Sequence, residues 1–223
     1  MGIAVIVGAG KGLSASLARK FSARGMEVVL AARDPSDLEG LCAETGARAV
    51  ACEASDAGDM ARLFAGVDAM DGALEVAVYN PSARVRGPLV DLEPEAVRRA
   101  IEVTAFGAFL MGQEATRRML PRGEGCILFT GASAGVKGFA RSASFAMGKF
   151  ALRGLAQSMA RELHPQGVHV GHVVIDGGID APGGGDDAQL DPDAIAETYL
   201  HLVDQPRSCW AWEVEVRPWV EEF

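Results

Sequence analysis

Ile3-Ala4-Val5-Ile6-Val7-Gly8-Ala9-Gly10-Lys11-Gly12-Leu13-Ser14 is the stretch that decides the fold. An unbroken apolar run rich in β-branched residues has no polar face to offer water. Ile3 to Val7 therefore reads as the centre of a parallel sheet covered by helices on both sides. Glycines follow at once. They let backbone N–H groups come close to a pyrophosphate, and the unpaired N–H groups and positive dipole end of a helix opening at Leu13 attract its charge. A second apolar run, Val28-Val29-Leu30-Ala31-Ala32, completes the strand, turn, helix and strand that a dinucleotide-binding turn requires. Gly8, Gly10, Lys11, Gly12 and Leu13 are therefore candidate cofactor-binding residues.

Outward from that stretch the pattern alternates. Helices are expected over about Leu13 to Arg24, Ser36 to Glu44, Asp56 to Met70, Pro94 to Met119, Ser142 to Leu163 and Pro192 to Val203. Strands fall between them at Val28 to Ala32, Ala47 to Cys52, Leu74 to Tyr79, Gly125 to Thr130 and Val168 to Ile175, with Pro165 and Gly167 closing the helix before the last. The alternating Glu213-Val214-Glu215-Val216-Arg217, ended by Pro218, reads as a half-exposed edge strand. This order defines a single-domain α/β fold, a doubly wound parallel sheet of the Rossmann type, over residues 1–223. The stretch from Asp176 to Asp187 is too rich in glycine for a regular element. It lies past the carboxyl end of a strand, where open α/β sheets bind ligands, and it is expected to leave a mobile, partly open pocket.

With 223 residues, 49% hydrophobic and 23% charged, the chain can bury one sizeable core. Its formal charge of -9 sets the overall field against nucleic acid and anionic membranes, while leaving a small anionic ligand held by local dipoles compatible. Cys42, Cys52, Cys126 and Cys209 are scattered without paired spacing, so free thiols are expected and no metal site. Met1-Gly2 leads straight into the first strand with no signal-like segment, the reading of a cytoplasmic protein. No apolar run approaches the roughly 20 residues of a spanning helix. Arginine outnumbers lysine and alanine and glycine abound, a composition associated with bacterial chains from GC-rich genomes.

Several separate motifs resemble the short-chain dehydrogenase/reductase family, over essentially the whole chain. Gly8 to Ser14 is similar to the family's Thr-Gly-x-x-x-Gly-x-Gly, with Val7 for the threonine and Ser14 for the third glycine. Tyr79-Asn80-Pro81-Ser82 resembles Asn-Asn-Ala-Gly and keeps the second asparagine, which in the family steadies the sheet beside the cofactor. Asp176-Gly177 stands where the family has Pro-Gly, which adds Gly177 and Ile179 to the candidate cofactor contacts. Glu53 occupies the position of the family's adenine-contacting aspartate. Selection for NAD usually needs a carboxylate at the end of the second strand, roughly 20 residues past the turn. Here that position is Ala32, followed by Arg33, and Lys11 lies within the turn. Two cations beside the place of a ribose 2′-phosphate favour NADP over NAD, as in the family's NADP-preferring members.

The family's catalytic set is Asn, Ser, Tyr and Lys. Counting back from Lys149 puts Phe145 at the tyrosine, Ala132 at the serine and Thr104 at the asparagine, so only the lysine survives. A hydride delivered to a carbonyl leaves an alkoxide that needs a proton, and the family's tyrosine supplies it. Phenylalanine has none to give. The resemblance implies that Lys149 bridges the nicotinamide ribose hydroxyls, and Ser133 and Asp176 are candidate substitutes for the missing catalytic groups. The expected function is an NADP(H)-dependent oxidoreductase acting on a small or medium carbonyl or alcohol. A non-catalytic NADP(H)-binding sensor or partner subunit, and a lyase or isomerase that keeps the cofactor, stay open as alternatives. The family's long helices commonly pair across subunits. A homodimer or homotetramer is expected, with Phe106, Phe109, Leu152 and Leu155 giving those helices apolar faces and Trp210, Trp212 and Trp219 as further interface candidates.

Overall fold

The computed structural model describes residues 2–181 and 187–221. Chain order runs β1 (Gly2–Val7), α1 (Leu13–Ala23), β2 (Glu27–Ala32), α2 (Glu39–Thr45), β3 (Arg48–Ala51), α3 (Ala57–Asp68), β4 (Ala73–Tyr79), α4 (Pro94–Ile101), α5 (Gly107–Met119), β5 (Cys126–Thr130), α6 (Ala143–Leu163), β6 (His169–Ile175), α7 (Pro192–Asp204) and β7 (Glu213–Val216). The strands form one parallel sheet in the order β3-β2-β1-β4-β5-β6-β7. The central strand serves both faces. Ile3, Val5 and Val7 join a core with Phe64, Met111 and Leu152 from α3, α5 and α6, whereas Ala4 and Ile6 join Leu17, Phe21 and Tyr199 from α1 and α7. This is why β1 has no alternation to read.

Local chemistry sets several helix starts. Asp56 accepts from the Asp59 N–H at 2.7 Å to cap α3, Glu93 accepts from the Ala96 N–H at 2.7 Å to cap α4, and Asp191 accepts from the Asp193 N–H at 2.9 Å to cap α7. Pro94 and Pro192 fill first-turn positions, where a missing N–H costs nothing.

The stretch from Pro94 to Met119 is not one uniform helix. A π-helical turn, Glu102–Phe106, separates α4 from α5. The buried Tyr79 hydroxyl donates to the Val103 carbonyl and so draws it out of the regular ladder. Thr104, inside this turn, is fully buried and accepts from the Ala83 N–H at 3.0 Å. Trp210 and Trp212, two of the tryptophans expected at a subunit interface, are half-buried. Trp210 stacks on His169 with ring centroids 4.8 Å apart and donates to the Gln205 carbonyl, and Trp212 packs on the core. Leu152 is likewise core and Leu155 packs against it, while Trp219 is exposed. No helix of the described residues is long and apolar enough to cross a membrane.

Candidate functional site

The glycine turn leaves β1 at the point where strand order reverses between β1 and β4. Gly8 has φ +80, and a Cβ there would stand 2.7 Å from the Pro81 nitrogen, so only glycine fits. Its N–H and that of Ala9 both donate to the Ala31 carbonyl at 2.9 Å, tying the turn to β2. Gly10 and Gly12 face open space, with nothing within 4 Å of where a Cβ would sit. Gly12 begins α1 with no side-chain capping bond and no acidic residue in the first turn, which leaves an open, positive helix end. The Leu13 side chain is buried, so only its backbone can serve a ligand.

Ser14 brackets this turn. Its hydroxyl donates to the Gly8 carbonyl at 3.0 Å and accepts from Asn80 Nδ2 at 2.7 Å, while the Asn80 N–H donates to the Val7 carbonyl at 3.0 Å. Read as a sequence, Ser14 is merely a departure from glycine. The signal that could have revealed it is the retained Asn80 at the end of a strand that must pair with β1.

Two clefts meet at the end of β2. One, of about 380 Å³, is lined by Gly8, Ala32, Arg33, Glu53 and Asn80. The other, of about 660 Å³, is lined by Gly10, Lys11, Ala32, Arg33 and Asp37. Lys11 and Arg33 are exposed and have no ion-pair partner among the described residues. Asp34, the carboxylate nearest the end of β2, accepts from the Ser36 hydroxyl at 2.7 Å and N–H at 3.0 Å, which lowers its pKa and commits it to capping. Glu53 turns its carboxylate along its own loop, accepting from the Ser55 hydroxyl at 3.1 Å.

A third cleft, of about 770 Å³, is lined by Ser133, Phe145, Asp176 and Gly177. Ser133 opens a short 3-10 turn and its carbonyl accepts from the Val136 and Lys137 N–H groups. Asp176 is 3% exposed and pairs with Lys137 at 3.5 Å and Arg217 at 3.3 Å. Gly177, at φ +145, sits where a Cβ would meet Pro218 at 2.7 Å. Ile179 forms an isolated bridge with Leu190 away from the wall of this cleft, and residues 182–186 of the expected mobile segment lie outside the described residues.

Lys149 lies on α6, on the wall of none of these clefts, 2% exposed, with Nζ donating to the Thr130 carbonyl at 2.7 Å. Burial, reinforced by repulsion from Arg84, lowers its pKa from 10.5 to about 7. Below it His172 is fully buried, its Nδ1 bonded to Glu213 at 3.0 Å and its Nε2 without a partner. Between about pH 7 and 10.5 the unfolded chain holds a proton on this lysine that the folded chain releases, so folding stability rises with pH across that window. Urea denaturation at pH 7 and pH 9 is expected to show this rise in the native chain and its loss in Lys149→Met. Equal pH dependence in the two would mean that the ammonium is solvated.

Sequence spacing gave no sign of Arg84. Its guanidinium stacks 3.9 Å from the Phe145 ring centroid, on a loop that Ser144 clamps to α6 by accepting from the Val85 N–H at 2.8 Å and donating to its carbonyl at 3.0 Å.

An open parallel sheet with a glycine turn and an uncapped helix at its switch point defines a doubly wound α/β protein of the nucleotide-binding class. The family described as "short chain dehydrogenase" matches residues 2–186. The chain is 32% identical over 185 residues to a cis-4-hydroxycyclohexanecarboxylate dehydrogenase of Sinomonas cyclohexanicum, covering 81% of this chain and 74% of that one. Among solved structures, a short-chain dehydrogenase from Rhodopseudomonas palustris gives a TM-score of 0.88 at 35% identity, over 98% of this chain and 99% of the other. A metagenomic short-chain oxidoreductase in complex with NADP gives 0.87 at 31% identity, over 97% of each. The chain belongs to the short-chain dehydrogenase/reductase family, oxidoreductases that use nicotinamide cofactors.

Proposed function

We propose that the protein is an NADP(H)-dependent oxidoreductase acting on a small or medium carbonyl compound or alcohol, with Phe145 in place of the usual tyrosine. The observation that carries this reading is the open helix end at Gly12 with the unpaired Lys11 and Arg33 beside Ala32. Gly8, Gly10, Gly12 and the Leu13 backbone would cradle the pyrophosphate, Arg33 and Lys11 the 2′-phosphate, and Glu53, Asn80, Gly177 and Ile179 the flanking parts. A relative in complex with NADP supports the cofactor choice, and the small cyclic alcohol in another relative's name supports the substrate size. The nicotinamide supplies or accepts the hydride. Lys149, with a pKa about 7, can hold or release a proton at neutral pH. Ser133 lines the cleft where a proton must arrive, and Asp176, on the same wall, pairs with Lys137 and Arg217.

Fluorescence titration tests the reading. NADPH is expected to bind at least tenfold more tightly than NADH, and Lys11→Ala and Arg33→Ala each to weaken NADPH by about tenfold while changing NADH less than twofold. Equal affinity for the two cofactors would overturn it. A second reading, a non-catalytic NADP(H)-binding protein, is favoured by one observation: neither Phe145 nor Ala132 carries a transferable proton, and Lys149 is covered. Turnover that disappears in Lys149→Ala would remove that reading.

The π turn, α5 and α6 expose Phe106, Phe109, Met147 and Phe150. Large apolar side chains at the surface in this number favour burial against a second copy, as a homodimer or homotetramer. Light scattering at micromolar concentration is expected to give a multiple of the chain mass, and a monomer would contradict the assignment. All four cysteines are free thiols, which fits a reducing cytoplasm.

A further inference from the structure

The 770 Å³ cleft is cationic in a chain whose net charge is -9. Arg84, Arg86 and Arg141 line it, and none of them has an ion-pair partner among the described residues. Of the carboxylates on its wall, Asp176 is paired with Lys137 and Arg217, and Glu221 is the other. Unpaired guanidinium groups concentrated in one concavity repel one another, and no ion pair to any of the three among the described residues offsets that repulsion. Burial and repulsion from Arg86 act on Arg84 in that sense, lowering its pKa.

The arginines are also held in place. Arg141 is the one residue other than glycine with positive φ among the described residues, at 62°, and its carbonyl accepts from the Gly87 N–H at 3.1 Å. This bond joins the Arg141 turn to the loop that carries Arg84 and Arg86. The same loop is fixed at Ala83 by Thr104 and at Val85 by Ser144, both buried side chains reaching backbone groups. A left-handed non-glycine residue stores strain that persists only where surrounding structure imposes it, and such strain concentrates at ligand sites. The Arg84 guanidinium carbon sits over the Phe145 ring, 3.9 Å from its centroid, a contact that holds the group in place before any ligand arrives.

We propose that this cleft selects substrates that carry an anionic group, a carboxylate or a phosphate, bound by the Arg84 guanidinium with Arg86 and Arg141 in support. The proposal deepens the oxidoreductase reading and rests on it: the substrate class becomes an acidic carbonyl compound or alcohol. Arg84 is the specificity-determining residue, and the phenylalanine at position 145 serves as the flat apolar surface on which its guanidinium is presented. A planar bidentate donor suits a carboxylate, and a cluster of three suits a phosphate, so the experiment separates the two.

Isothermal titration of the protein saturated with NADP+, which has no hydride to give the keto ligands, decides. The ligands are a short keto acid, its methyl ester, and a phosphate monoester of a hydroxyketone of matching length. NADPH binding is measured first, and its absence would defeat the cofactor reading before the substrate class is reached. With NADP+ bound, one of the two anions is expected to bind at least tenfold more tightly than the neutral ester, with affinity falling as salt is raised. Arg84→Ala is expected to remove about tenfold of the anion's affinity, leaving the ester and NADPH within twofold, and Arg84→Lys to recover part of it. Arg86→Gln, at a residue further from Phe145, is expected to give a smaller loss. Equal binding of acid and ester by the native chain, or a loss in Arg84→Ala shared equally by both, would overturn the proposal.

Discussion

Phe145→Tyr is expected to raise kcat for carbonyl reduction by about a hundredfold, with little change in KM. A positioned general acid contributes roughly 10²–10⁴ in rate, and the native ring has no proton to place there. The ring already lies in the right company. It lines the cleft at 8% exposure, with Lys149 Nζ 5.9 Å from its centroid and the Arg84 guanidinium 3.9 Å away. Both neighbours can be cationic, and cations lower the pKa of a phenol beside them. One added oxygen on a ring that already reaches the cleft displaces little. Steady-state NADPH oxidation with a panel of acidic carbonyl compounds measures the effect. An unchanged kcat would mean that the native chain already delivers the proton by another group on the cleft wall, such as Ser133.

Gly107→Ala is expected to cost about 3 kcal/mol or more of stability. A Cβ at this position would stand 2.2 Å from the Tyr79 hydroxyl oxygen and 2.4 Å from the Ala54 carbonyl oxygen. The tyrosine ring is buried and the carbonyl belongs to the backbone, so neither has anywhere to go. The collision also reaches the bond from Tyr79 to the Val103 carbonyl and, through the π turn, Thr104 and its hold on Ala83. For a chain of this size such a loss lowers the melting temperature by roughly 6–12 °C. Gly154→Ala is the matching control, since nothing lies within 4 Å of its Cβ position on α6. There alanine is expected to be neutral or to stabilise by about 0.5–1 kcal/mol. A Gly107→Ala melting point equal to that of the control would show that α5 slides outward without strain.

The order of elements was legible because strands buried on both faces announce themselves: Ile3 to Val7, Val28 to Ala32 and Val168 to Ile175 all fall where the sheet has them. The glycine turn was legible because φ +80 and the close approach of Pro81 at Gly8 are demands only glycine meets, while Gly10 and Gly12 leave the space before α1 open. What stayed hidden depends on residues distant in the chain. Ser14 gains its meaning from Asn80, and the π turn from Tyr79, whose hydroxyl meets Val103 after the chain has turned back. Arg84 and Phe145 are brought together by Ser144 and Val85, contacts that no periodicity encodes. Lys149 kept its position in the count, but its burial under the cleft and its hold on Thr130 follow from packing alone.

The position of β7 has a consequence for biosynthesis. β6 is buried along its whole length, and its outer hydrogen-bonding edge is covered by β7, with the Asp176 N–H donating to the Val216 carbonyl at 2.9 Å. Until residues 213–216 have emerged and paired, β6 presents an apolar edge with unpaired backbone groups, the kind of template on which nascent chains stick to one another. β7 is thus the fold's guard against self-association during synthesis, and chains broken off before Glu213 are the ones that meet their neighbours unprotected.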